Sequence, residues 1–133
     1  MDCKTTRRAV MKSPLKVTGI DYVVLHVKDL ARSKKFYVGL LGMDVEYENP
    51  QQLFLQCGKQ SVALFQVRDD AEILAGSEMN HMALRLKSGD YKKVKAVLEE
   101  ASVKVSGRKG DPQCIYFSDP DGHRLQLLTP AEQ

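Results

Sequence analysis

Cysteine is scarce and odd in number: Cys3, Cys57 and Cys114 are the only three in 133 residues. They stand far apart, so neither a disulfide framework nor a zinc-binding spacing is suggested. The expectation is buried, reduced thiols in a cytoplasmic protein. No apolar run approaches the ~18 residues that suggest a membrane span. The N-terminus carries charges with no apolar stretch behind them, which argues against a signal peptide. A strong charge of one sign is lacking too. The formal net charge is +3, and Lys4, Arg7, Arg8, Lys12 and Lys16 contribute part of the basic excess. The rest is close to neutral and carries no nucleic-acid footprint.

What is present suits one domain: the length is ordinary for a single unit, and 43% hydrophobic residues can fill one core. Residues 1–16 lack periodicity and read as a disordered tail; the domain is expected over residues 17–130. The ordered part begins at Val17, and Ile20–Val27 reads as a strand. Asp29 is a fitting N-cap for a helix with an apolar stripe of Leu30, Phe36, Tyr37, Leu40 and Leu41, stopped at Gly42. Short strands follow at Met43–Glu48, Leu53–Cys57 and Ser61–Val67. After a polar linker the pattern restarts. It runs through strand His81–Leu86, a helix capped by Asp90, and strands at Val103–Ser106, Gln113–Ser118 and His123–Thr129. The Asp119-Pro120-Asp121-Gly122 turn lies before the last of these. Its residues are hairpin chemistry first, and His123 just after it is expected to face solvent.

The repetition is the most informative feature. Tyr22–Lys28 matches His81–Lys87 at a spacing of about 59 residues. Each half is β-α-β-β-β, with modules at about residues 17–68 and 79–130. One such unit cannot cover both faces of its sheet. Two, paired within a chain or across a dimer, make an α+β fold: a curved mixed sheet with a central cup and helices outside.

Two local motifs sharpen this. The first is Asp21-Tyr22-Val23-Val24-Leu25-His26-Val27-Lys28-Asp29-Leu30, followed by Ser33, Phe36-Tyr37 and Leu40-Leu41-Gly42-Met43. The second is Tyr116 through Leu127, around Asp119-Pro120-Asp121-Gly122. With the repeat and His81, they resemble the vicinal oxygen chelate superfamily of glyoxalase I, bleomycin-resistance proteins, fosfomycin-resistance enzymes and extradiol dioxygenases. The resemblance spans roughly Val17 to Pro130. It carries the fold more than the reaction, because one fold hosts many chemistries.

The resemblance implies metal-ligand positions at Tyr22, at Leu64 or Gln66, at His81 and at Gln126. Of these only His81 is an ordinary ligand. A phenol and a neutral amide stand where a second His and a carboxylate would be expected, and such a set meets neither zinc nor non-haem iron requirements. No cofactor is expected; the alternative is Zn, Ni, Mn or Fe held by His81 with Tyr22 or Gln126, with Glu46, Glu48 or Glu78 swinging in. Side-chain alternation gives a cup lined by Tyr22, Val24, His26, Leu64, Gln66, His81, Arg85, Gln126 and Leu128.

Tyr22 and His81 occupy equivalent places in the two modules. They either hydrogen-bond within the pocket or work as proton donor and general base. Arg85 either pairs with an anionic ligand or is a solvated residue at the rim. The preferred reading is a metal-independent small-molecule binder of the bleomycin-resistance type, taking an aromatic or anionic ligand. The rival is an enzyme with a modified ligand set: a glyoxalase-like lyase or isomerase, a thiol transferase or a ring-cleaving dioxygenase. A third is a domain whose cup serves only dimerisation. The resemblance implies a homodimer, with no nucleic-acid or membrane partner.

Overall fold

The computed structural model describes residues 13–75 and 79–133, so most of the expected tail, with Cys3 and Glu78, lies outside the described residues. In β1 (Tyr22–Val27), buried Leu25 and Val27 alternate with exposed Tyr22, Val24 and His26. That period of two marks a sheet with one covered face. Asp29 caps α1 (Leu30–Lys34), its carboxylate accepting the Arg32 amide at 3.1 Å. The helix then widens into a π-helical stretch at Lys35–Leu40, whose Phe36 and Tyr37 are buried. Gly42, at φ +77°, ends it. Then come β2 (Asp44–Asn49), β3 (Gln52–Cys57) and β4 (Gln60–Gln66).

The second module repeats the order: β5 (Met82–Arg85), α2 (Tyr91–Glu100) capped by Asp90, β6 (Ser106–Arg108), β7 (Asp111–Ser118), β8 (Arg124–Leu128) and a 3-10 turn at Pro130–Glu132. The first strand starts at Tyr22, two residues after the expected Ile20. β6 begins where the expected Val103–Ser106 strand ends, because the Val103 amide still closes the end of α2 by donating to the Leu98 carbonyl at 2.9 Å. No helix among the described residues is long and apolar enough to cross a membrane.

Each module builds its own four-stranded mixed sheet, in the orders β1-β4-β3-β2 and β5-β8-β7-β6. The first and last strands of each module pair in parallel. Among the described residues no strand pair joins the two sheets. What joins them is a common core. Leu25, Val27, Leu53, Leu55 and Leu64 from one sheet and Leu84, Ile115, Phe117, Leu125 and Leu127 from the other form one buried cluster, with Phe36 6.1 Å from Phe117 between ring centroids.

The Asp119–Gly122 turn does more than reverse the chain. The Asp121 carboxylate accepts the Lys28 amide at 3.1 Å and the Arg32 guanidinium at 2.9 Å, tying the second module to the start of α1. Asp119 accepts the Tyr37 hydroxyl at 2.7 Å, the His123 amide at 2.8 Å and a contact from His123 Nδ1 at 2.8 Å. His123 therefore does not face solvent as expected. It is 5% exposed, because the tight turn folds its ring back onto a carboxylate four residues earlier. Burial pushes the Asp119 carboxyl up, but hydrogen bonds from His123 and Tyr37 and the His123 charge outweigh it and hold the group below its ordinary range. The hydrogen bond to Asp119 raises His123, with burial opposing. Burial first, then the Asp119 charge, pushes the Tyr37 phenol far up.

Ser102, just past α2, is the one non-glycine with positive φ (+64°) among the described residues. Ser102→Gly should stabilise the fold by about 0.5–1 kcal/mol, since glycine carries no Cβ penalty there. Urea unfolding would read this as a higher midpoint; a lower midpoint would mean that the loss of unfolded-state restriction dominates.

Candidate functional site

The register across β1 and β4 sets Tyr22 beside Ser61, Val24 beside Ala63 and His26 beside Phe65. β3 adds Gln52, Phe54 and Gln56 to the same face. This corrects the expectation for Leu64 and Gln66. Leu64 pairs with Leu25 on the core face and is fully buried. Gln66 pairs with Val27, and its side-chain oxygen accepts the Leu30 amide at 2.9 Å. A slip of one residue moves every side chain to the other face, and β4 alone, apolar at Val62, Ala63, Leu64 and Phe65, carries no alternation to fix its phase.

The uncovered face of the first sheet is aromatic. Phe54 sits at its centre, 5.7 Å from Tyr22, 5.9 Å from Phe65 and 6.1 Å from Tyr47 between ring centroids. A bulge in β2 between Val45 and Tyr47 breaks the alternation. It allows Glu46 to accept the Ser61 hydroxyl at 3.1 Å while Tyr47 packs toward Phe54.

The corresponding face of the second sheet gathers two guanidinium groups and an imidazole around one ring. Ala83 pairs with Gln126, Arg85 with Leu128, and Tyr116 with Gln126. The His81 ring meets Tyr116 edge-on at 5.2 Å, the Arg124 guanidinium lies 4.7 Å over it, and Arg108 donates to its hydroxyl at 3.3 Å. His81 Nδ1 lies 2.8 Å from the Asn80 side-chain oxygen; with that oxygen accepting, Nε2 is left as the free acceptor. Gln126 is buried, its amide nitrogen 4.0 Å from the Cys114 sulfur. Tyr116, Phe54 and Phe65 were missed from sequence. Tyr116 was within reach, because Ile115 and Phe117 on either side are plainly core residues.

The structure brings His81 and Gln126 onto one face with Ala83, Arg85 and Leu128, and Tyr22, Val24 and His26 onto another. Among the described contacts none joins Tyr22 to His81. The backbone explains how the two faces stay apart. The Asp21 and Val27 carbonyls accept from β4, so odd-numbered residues of β1 bond inward and Tyr22, Val24 and His26 present their N–H and C=O to a free edge. The Leu86 amide donates to Leu128, so His81, Ala83 and Arg85 do the same on β5. β1 and β5 are each one edge of their sheet, with β2 and β6 at the opposite edges.

The donor set at Tyr22, His81 and Gln126 does not fit a divalent ion. One imidazole nitrogen is free, the amide is neutral, the phenol packs edge-on against Phe54, and Glu46, bonded to Ser61 beside Tyr22, is exposed and engaged.

The family model described as "Glyoxalase/Bleomycin resistance protein/Dioxygenase superfamily" matches residues 19–127. The metallothiol transferase FosB of Staphylococcus epidermidis is 28% identical over 117 residues, 85% of this chain and 84% of its own length. The glutathione transferase FosA of Serratia marcescens is 30% identical over 112 residues, 81% and 78% of the respective chains. Among solved structures, the fosfomycin resistance protein FosX from Mesorhizobium loti superposes with a TM-score of 0.66 at 24% identity, covering 86% of this chain and 93% of its own.

Proposed function

The chain belongs to the glyoxalase/bleomycin resistance protein/dioxygenase superfamily, and from that premise we propose that it binds a small anionic or aromatic molecule, without a metal, in a cup completed by a second copy of itself. The observation that carries this reading is the set of polar groups around Tyr116, two guanidinium cations and one imidazole. Arg124, Arg108 and His81 surround one aromatic ring, and among the described ion pairs none engages Arg85 or Arg124. A few convergent polar groups beside aromatic surface are the usual makings of a small-molecule site. The second copy is supported by the free edges of β1 and β5. Pairing the β1 of one protomer with the β5 of the other turns two open sheets into a shared curved one, with Tyr22 facing the partner's cation-flanked ring. The buried, unpaired Cys114 thiol suits a reducing cytoplasm.

The test is a thermal-shift screen of small carboxylates, phosphonates and aromatic acids in the presence of a chelator. A ligand at a hundred times its Kd should stabilise the protein by about 2.7 kcal/mol. Arg124→Ala should abolish that shift while leaving the unliganded melting temperature within about 2 °C, as expected for an exposed side chain. Stabilisation that appears only with added metal and vanishes in His81→Ala would overturn metal independence.

A second reading is favoured by the free Nε2 of His81 and by the relatives named as thiol transferases. In it the chain is an enzyme of the superfamily, a thiol transferase, lyase or isomerase, or ring-cleaving dioxygenase, using a divalent metal. Turnover that requires metal and falls at least about a hundredfold in His81→Ala would establish it.

A further inference from the structure

The chain ahead of β1 is apolar and has little of its own protomer to pack on. Leu15 is 80% exposed, Val17 86% and Ile20 64%, and among the described hydrogen bonds none ties a main-chain group of residues 14–20 to a strand. The β1–β4 ladder fixes where support stops. β4 begins at Gln60, and its Ser61 already lies beside Tyr22 and donates to the Asp21 carbonyl, so the parallel pair has no strand left for the residues before Asp21. Val17, Thr18 and Ile20 are strand-forming residues all the same. Elsewhere the chain has an open apolar hollow. It measures about 180 Å³, opens where β5 ends, and is lined by Leu86, Val94, Val97 and Leu127 with Leu40 and Leu41 from the first module. Val97 is 49% exposed there. An apolar cavity of ~150 Å³ takes a benzene-sized guest rather than water, so this one has room for a branched aliphatic side chain.

Handedness decides how these two features meet across a dimer. In each module the first strand connects, through a helix packed on the core face, to a second strand that runs parallel to it at the far edge of the sheet. Such crossovers are right-handed. The free edges of β1 and β5 are therefore equivalent edges of two sheets of one hand. Equivalent edges can pair with both open faces on the same side only when one sheet is turned end for end. β1 and the partner's β5 then run antiparallel. The chain ahead of β1 continues past the partner's Leu86 toward its Ser88 and Gly89, where the hollow opens. Residues 14–20 can extend over about 23 Å, enough to lie across that opening.

We propose that residues 14–20 of each protomer form an exchanged arm that lies on its partner, with Leu15 and Val17 seated in the partner's hollow against Leu86, Val94 and Val97. The inference rests on the proposed pairing of β1 with a partner's β5. It adds a second contact, away from the cup, in which each chain covers apolar surface that the other leaves open. Contiguous exposed apolar surface of this kind marks a protein contact.

Sedimentation of the full chain at graded concentration tests this. Burying a valine or leucine is worth at least about tenfold in affinity, and two-fold symmetry counts every contact twice. Leu15→Asp combined with Val17→Asp should therefore weaken the dimer at least about 100-fold, and Val97→Asp at least about tenfold. These side chains are exposed in the protomer, so both proteins should keep the circular dichroism of wild type. Leu15→Met combined with Val17→Ile should dimerise like wild type. If the double aspartate variant dimerises normally while Val24→Pro does not, the arm is overturned and the shared cup stands. A dimer lost in the arm variant but untouched by Val97→Asp would seat the arm elsewhere and overturn the proposal. A wild-type chain that is monomeric at every concentration would overturn the arm and the cup together.

Discussion

Asp119→Ala is expected to cost about 3–5 kcal/mol of unfolding free energy, the usual penalty for removing one partner of a buried ion pair. For a chain of this size that lowers the melting temperature by more than about 10 °C. The loss exceeds a simple contact because the Asp119 side chain is fully buried and serves both Tyr37 and His123. The effect should depend on pH. His123 is raised above 6.5 in the fold, so its share of the pair's stability is complete below that value and is lost as pH climbs through the folded pKa. Asp119 is lowered below 3.8, so its share is complete above that value and is lost as pH falls through the folded pKa. The gap between wild type and variant should therefore be widest between about pH 4 and 6.5 and narrow on either side. It should not close at alkaline pH, because Tyr37 and the backbone amides still hold the carboxylate. Urea unfolding across pH 4–9 reads this directly, and a gap of constant width would mean that His123 carries no charge in the fold.

If the cup is completed by a second copy as proposed, Val24→Pro is expected to turn that dimer into a monomer and, with it, to remove ligand binding. Val24 presents its amide to the free edge of β1 rather than to β4, so proline spares the parallel ladder inside the protomer while denying a donor to the partner's β5. One hydrogen bond is worth about 1 kcal/mol net. Two-fold symmetry counts it twice, giving at least about a 30-fold weaker dimer before any clash of the ring is added. Sedimentation at graded concentration measures it. A variant that dimerises like wild type would remove β1 from the interface, and a wild-type monomer at all concentrations would sink the shared cup.

The repeat was legible because its signals are local: period-two alternation in β1, Asp29 and Asp90 before helical stripes, and Gly42 after one. The face that carries Tyr22, Val24 and His26 was legible for the same reason. The phase of β4 was not, since a strand buried along most of its length shows no alternation, and Leu64 was placed on the wrong side. Phe54 was missed because it becomes a cup residue only by lying opposite Ala63 in a register that β3 alone does not reveal. His123 failed differently: it looked inert beside its sequence neighbours and found its partner, Asp119, through a turn. Cys114 is buried and unpaired, as expected.

The two free edges are unlike one another, and that has a consequence for assembly. An edge that pairs with its own copy satisfies itself in one contact. Here each protomer offers one β1 and one β5, so a single β1–β5 contact between two chains still leaves one unsatisfied edge on each. A rotation that brings the leftover edges together closes the pair, with β2 and β6 as the outer edges of the shared sheets. Any other rotation leaves ends that recruit a third chain, then a fourth. In the proposed assembly, the curvature and angle set by the shared core and the Asp121–Arg32 tie would decide between a closed particle and a growing fibre. A weakened tie would therefore show itself first as a change in how chains add to one another, before any loss of the fold.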